Sequence, residues 1–334
     1  MNLTAPTTRL SRLSRSMLLF VMVFFALSQQ SIFTLQNYRS AATFMIASRG
    51  GDGVPSNHTF TVNSTGDWDG PCDGPLDGTE PVDGSEGDCT LREAIQAANQ
   101  SLGFDLINFN IPTDRCDMSG VCTISLMSSL PSVSDARING YSQPGAMRNT
   151  AEQGTNAILK IELKGPRGIP NPPDIGGIGC SENVIVEGLT INSFPSNAIT
   201  WQGGGNKVLG CFIGTDVTGT IALPNGADGR PAITLAYGNS NLIGGDPADR
   251  NLISGNLGDG IAFHGIGGDL TSNDNRILNN LIGVQADGIS PLGNAGNGIL
   301  FRNAPGPIHD NQIANNVIAF NIGVGINIAK AAQA

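Results

Sequence analysis

Two histidines in this 334-residue chain are placed where they could move a proton: His264 in Phe263-His264-Gly265, and His309 beside an acid in Ile308-His309-Asp310. An imidazole next to a carboxylate is material for general acid–base catalysis. Neighbouring residues on a strand point to opposite faces, however, so both histidines are expected at exposed corners rather than in a catalytic pair. Asp259 and Asp287 each precede a glycine and read as turn residues. Eight carboxylates crowd between Asp67 and Asp88 with no Lys or Arg among them. Clustered oxygens suit Ca²⁺, and Asp67-x-Asp69 opens like a calcium loop. Pro71 then takes the next ligand position and no Gly-Gly-x-Gly-x-Asp repeat follows. A solvated acidic loop is therefore preferred, with Ca²⁺ the one cofactor kept as an alternative.

Six cysteines, Cys72, Cys89, Cys116, Cys122, Cys180 and Cys211, allow about 15 pairings. Proximity favours Cys72 with Cys89 and Cys116 with Cys122, leaving Cys180 with Cys211 as the remaining pair. There is no Cys-x-x-Cys, so disulfides are preferred over zinc. The start of the chain suits an oxidising destination: Arg9, Arg12 and Arg15 precede an apolar run from Met17 to Leu27, then Ser28. That run is short of the roughly 20 residues of a membrane helix and fits a secretory signal peptide cleaved after Ser28. No later segment is apolar enough to span a membrane. The net charge of −10 repels nucleic-acid backbones, so DNA and RNA are not expected partners.

These residues need elements to hold them. Residues 29–57 form a lead-in, and a strand-like run starts at Thr59. Residues 90–99 predict a helix: Thr90 and Glu93 make a capping box, and Leu91, Ala94, Ile95 and Ala98 share one stripe. Short strand-like runs follow to the end, and they repeat. Asn206 to Gly214 reappears 69 positions later as Asn275 to Gly283, while Asn251 to Asn256 is echoed by Asn316 to Asn321. Such a period predicts a solenoid, here divided into three turns of about 23 residues.

Short strands bounded by Gly and Asn lack the helical crossover that a parallel sheet normally needs. A chain coiling back on itself supplies that connection. Corners then need residues that tolerate left-handed backbone, and residues 181–334 contain 21 Asn, able to stack in ladders. Aromatic residues make up only 5%, as a narrow aliphatic core would require. The expected fold is all-β, a right-handed parallel β-helix over 126–334, with the helix and acidic loop forming a cap over 58–125. Lys330 to Ala334 make a poor cap, so a truncated product, a fragment or an end-to-end assembly is expected.

Cys89-Thr90-Leu91-Arg92-Glu93-Ala94-Ile95 resembles the Cys-Ser-Leu-Arg-Glu-Ala-Ile signature of the CSLREA domain, with Thr90 preserving the capping hydroxyl. Phe212 to Thr220, Asn241 to Gly245 and Arg250 to Asn256 are similar to repeats of large secreted bacterial right-handed parallel β-helix proteins. The resemblance implies a secreted or cell-surface protein and little about activity, because the fold hosts many functions. Polysaccharide lyases, hydrolases and epimerases share it, but the hydrolase pattern of adjacent Asp-Asp with Gly-His-Gly is missing, and His264 matches only in part. The expected function is therefore noncatalytic, adhesin-like contact with an extracellular glycan or surface protein. The alternative is a polysaccharide-active enzyme. Asn57, Asn63 and Asn99 fit the glycosylation sequon.

Overall fold

The computed structural model describes residues 57–69, 72, 87–264, 272–302 and 309–329. The expected signal peptide, the lead-in up to residue 56, most of the acidic loop and the tail after 329 lie outside them.

Three all-parallel sheets of eight, seven and six strands run side by side along the stack, so the fold is a parallel β-helix. A representative coil contributes Lys207–Leu209 to the first sheet, Phe212–Ile213 to the second and Ile233–Tyr237 to the third. The next coil repeats this with Leu242–Gly244, Leu252–Ile253 and Ile261–Phe263, and the one after with Arg276–Leu278, Leu281–Ile282 and Ile299–Phe301. Inward residues stack in unbroken columns. One is Ile107, Ile138, Val186, Val208, Ile243, Ile277 and Ile313, each paired with the next. Another is Ile178, Ile199, Ile233, Ile261, Ile299 and Ile326.

The coil is longer than the period alone suggested. Asn206, Asn241, Asn275 and Asn311 occupy one corner of successive coils, 35, 34 and 36 residues apart. The 69-residue echo is therefore two coils, not three of 23. A hairpin causes the doubling. Thr215 bridges Ala222 and Val284 bridges Pro291, so a hairpin interrupts two coils at the same place, with one plain coil between them. The coil between them turns directly through Ser254 and Gly255, and the first hairpin reaches across it to accept at Gly219 O from Ala286 N (3.0 Å).

Three corners are stitched by asparagine. At the corner leading into the third sheet, Asn225 Nδ2 donates to Asn256 Oδ1 (3.0 Å), Asn256 Nδ2 to Asn294 Oδ1 (2.8 Å), and Asn294 Nδ2 to Asn321 Oδ1 (2.8 Å). The same amides also donate to Ile191 O, Ile213 O and Ile253 O. Asn251, Asn280 and Asn316 form a second ladder between the first and second sheets. At the third corner, side-chain oxygens of Asn241, Asn275 and Asn311 accept backbone N–H groups of the preceding coil. The ladders thus satisfy many corner polar groups excluded from water, while Asn139 Oδ1, Asn192 Oδ1 and Ser272 Oγ are buried without a partner.

At the other end, the helix spans Leu91–Gln100. Thr90 Oγ1 accepts from Glu93 N, and a Glu93 side-chain oxygen accepts from Thr90 N, the capping box expected. Leu91, Ala94, Ile95 and Ala98 are buried in the main core, and the helix packs on Thr59–Val62 and Asp105–Phe109. Those two strands are the first of the eight-stranded sheet, so the coils already begin at Thr59, inside the region expected to be only a cap. Arg92 joins the helix to its surroundings. Its Nε donates to Asp67 Oδ1 (2.8 Å) and its Nη1 to Ser129 O (2.8 Å).

Two disulfides form as expected, Cys72–Cys89 and Cys116–Cys122. The third does not: Cys180 and Cys211 are free and buried. Cys180 ends a strand of the third sheet, whereas Cys211 sits at the corner before the second sheet two coils further on, so they occupy different walls. Burial pushes both thiols up to about 12.

Asn256→Ala should remove one ladder position and orphan its neighbours' groups, costing about 2–3 kcal/mol at roughly 1–3 kcal/mol per buried unsatisfied group. The check is the denaturant midpoint; an unchanged midpoint would mean the ladder is ornamental.

Candidate functional site

Between strands Ala136–Asn139 and Ile161–Lys164 the chain leaves the coil and runs along the outside of the stack as a strap, residues 140–160. The reason is an outward column on the second sheet, Phe212, Leu252 and Leu281, whose apolar side chains need cover. Leu159 of the strap and Val284 of the second hairpin close over them into a small separate core. The strap crosses successive coils by polar bonds. Tyr141 Oη donates to Gly210 O (3.0 Å), Asn149 Nδ2 to Pro247 O (2.8 Å), and Thr155 N to Ala286 O (2.7 Å). Gly188 and Gly210, both left-handed, leave the space Tyr141 occupies: a Cβ would lie 2.7 Å from its ring at Gly188 and would meet its hydroxyl at Gly210.

Where the strap starts, four charged side chains from separate coils meet. Glu187 is fully buried, and its two carboxylate oxygens accept separately from Arg137 Nε (2.7 Å) and Arg148 Nη2 (2.7 Å). Arg148 Nη1 reaches Asp249 Oδ1 (2.9 Å), and its guanidinium lies 4.5 Å from the centre of the Tyr141 ring. Burial raises Asp249, with Arg148 opposing it. Burial likewise raises Tyr141 far above its ordinary value. Two acids and a tyrosine within reach of each other resemble catalytic equipment. Their contacts make another use plain: both oxygens of Glu187 are held by cations, and one arginine ties it to Asp249.

Further along the strap, Arg250 is buried and donates only to carbonyls, Nε to Asn279 O, Nη1 to Gly154 O and Nη2 to Glu152 O. It borders a cavity of about 310 Å³ that Asp287 and Asn315 also line. A second recess of about 340 Å³ opens on the outer face of the third sheet, lined by Ser129, Ser132, Asp174, Gly179 and Thr200 among others.

The histidines stay apart. His264 is half-buried at the end of Ile261–Phe263, and burial lowers its pKa, with Arg302 acting in the same direction. His309 is exposed, as expected, yet its Nδ1 does meet Asp310 Oδ2 at 2.6 Å. The expected divergence fails because Asp310 has φ 57°, a left-handed corner where the strand rule does not apply. Asp259 Oδ1 accepts from the N and Nδ2 of Asn297, both at 2.7 Å. Asp287 caps its turn by accepting from Ile289 N and from Ser290, which holds its carboxyl below the usual range. Asp67 is taken by Arg92, Asp69 accepts from Gln96, and Asp88 pairs with Arg115. Among the described residues no three His, Cys, Asp or Glu side chains could hold a metal ion. Asn63 and Asn99 donate to Gly87 O and Ser132 O, so both sequon amides serve the backbone.

The strap cluster left no local trace in the sequence. Arg137, Arg148, Glu187 and Asp249 are scattered along more than three coils, and only the stacking brings them together. Compared with known proteins, the chain matches no family model, no curated protein and no solved structure.

Glu187→Gln should leave Arg137 and Arg148 facing each other without their shared anion. The expected loss is about 3 kcal/mol, the low end for a broken buried ion pair because both guanidinia keep partial contact with water. Chemical denaturation measures it; a loss below about 0.5 kcal/mol, the range of an ordinary surface change, would show that the cluster does not fasten the strap.

Proposed function

We propose that this is a secreted or cell-surface β-helix that binds an extracellular ligand on its sheet faces without transforming it. The observation that carries the reading is the way Arg148 spans Glu187 and Asp249. The paired carboxyls of a glycoside hydrolase need one free to take a proton and another free to give one. Here the geometry spends both on fastening the strap. What remains open is a long surface with shallow recesses, suited to holding an extended molecule.

The secreted or surface location rests on the basic and apolar leader sequence, together with the two disulfides, bonds that persist in oxidising surroundings. Among the described residues no helix is long and apolar enough to cross a membrane. A CSLREA-type cap is supported by the work each motif residue does: Cys89 bonds Cys72, Thr90 and Glu93 cap, Leu91, Ala94 and Ile95 fill the core, and Arg92 grips Asp67 and the backbone at Ser128 and Ser129.

The test is incubation of purified protein with polygalacturonate, alginate and other polysaccharides in the presence of Ca²⁺. Binding without release of unsaturated or reducing sugar is expected. Sustained product release would replace this reading with a polysaccharide-active enzyme on the same scaffold.

A further inference from the structure

The outer face of the first sheet carries an ordered column of side chains. From strand to strand its members are Leu106, Arg137, Ile185, Lys207, Leu242 and Arg276, each the direct neighbour of the next. From Leu106 to Arg276 aliphatic and basic residues alternate, and Thr59 and Gln312 extend the column at its two ends. Their inward neighbours, Ile107 to Ile277, are buried, so this column faces outward. Parallel strands stack about 4.8 Å apart, which places the cations about 9.6 Å from one another along the axis.

The three cations differ. Arg137 is compensated by Glu187. Lys207 and Arg276 have no carboxylate within ion-pair distance among the described residues, although the chain as a whole carries a net charge of −10. The adjoining column runs Asn108, Asn139, Glu187 and Leu209; Glu187 is fully buried and held by Arg137 and Arg148, so it presents no carboxylate to solvent. The face therefore presents cations at every second coil, with aliphatic side chains between them and amides at one end.

We propose that this face binds an extended acidic polysaccharide with a carboxylate or sulfate on alternate sugars. One coil advances along the axis by nearly the length of one extended pyranose residue. A chain lying along the column would bring an acidic group to each cation and the C–H face of a sugar ring to Ile185 or Leu242. Nucleic acid matches the charge but not the spacing or the aliphatic rungs, and its dense phosphates would meet the acidic remainder of the molecule. The proposal rests on the binding role argued above and assigns that role a site and a ligand class.

The experiment measures binding of the full chain to hyaluronan, whose uronate falls on alternate sugars, against neutral dextran and duplex DNA at two salt concentrations. Wild-type protein should bind hyaluronan, more weakly at high salt, and neither of the others comparably. Lys207→Gln with Arg276→Gln should weaken binding about tenfold, the loss expected for two exposed ion pairs. Its circular dichroism and denaturant midpoint should match wild type, because neither side chain has a hydrogen-bond or ion-pair partner among the described residues. Unchanged affinity in the double variant, no binding of hyaluronan, or equal binding of DNA or dextran would overturn the assignment. Cleavage of hyaluronan with variant-sensitive binding would instead sink the noncatalytic reading and leave the site standing.

Discussion

Where the described coils turn from one sheet to the next, buried corners leave peptide groups that the sheets do not satisfy. Asparagine solves the problem because one short side chain both accepts and donates, and because it lies one coil from its copy. The amide of Asn256 shows how closely this couples neighbours: it accepts from Asn225, donates to Asn294 and donates to Ile213 O, so three coils share one residue. The ladder fixes register, register aligns the aliphatic columns, and the columns exclude the water whose absence makes the ladder necessary.

Alternation is the second principle of the architecture. The hairpin after Phe212–Ile213 reaches over the plain coil between and meets the hairpin after Leu281–Ile282 at Gly219 and Ala286, so the repeating unit there is a pair of coils. Basic residues on the first sheet follow the same two-coil rhythm, at Arg137, Lys207 and Arg276. The strap then binds pairs to each other from outside, using the apolar column Phe212, Leu252 and Leu281 that would otherwise face solvent.

Much of this was legible in the residues. The capping box at Thr90 and Glu93, the helix stripe, two disulfides and the repeat all depend on positions close in sequence or on a copied phrase, and local rules reach that far. The 69-residue period divides arithmetically into three as well as two, and the corner asparagines 35, 34 and 36 residues apart show that it is two. Elimination pairs Cys180 with Cys211, yet the two lie on different walls, each buried in the main core. The strap cluster was invisible because Arg148 meets Asp249 across 101 positions, a distance no spacing rule spans.

In-register stacking with about 35 residues per coil from Asn206 onward is tested most directly by disulfide trapping along the outward column. Leu242→Cys with Arg276→Cys places two thiols on adjacent coils, about 4.8 Å apart at the backbone and within bridging range, and should crosslink readily. Lys207→Cys with Arg276→Cys places them two coils apart, about 9.6 Å, beyond that range. Crosslinking of the first pair and not the second is the result this account predicts. A bridge between 207 and 276, or none between 242 and 276 under oxidising conditions, would contradict it.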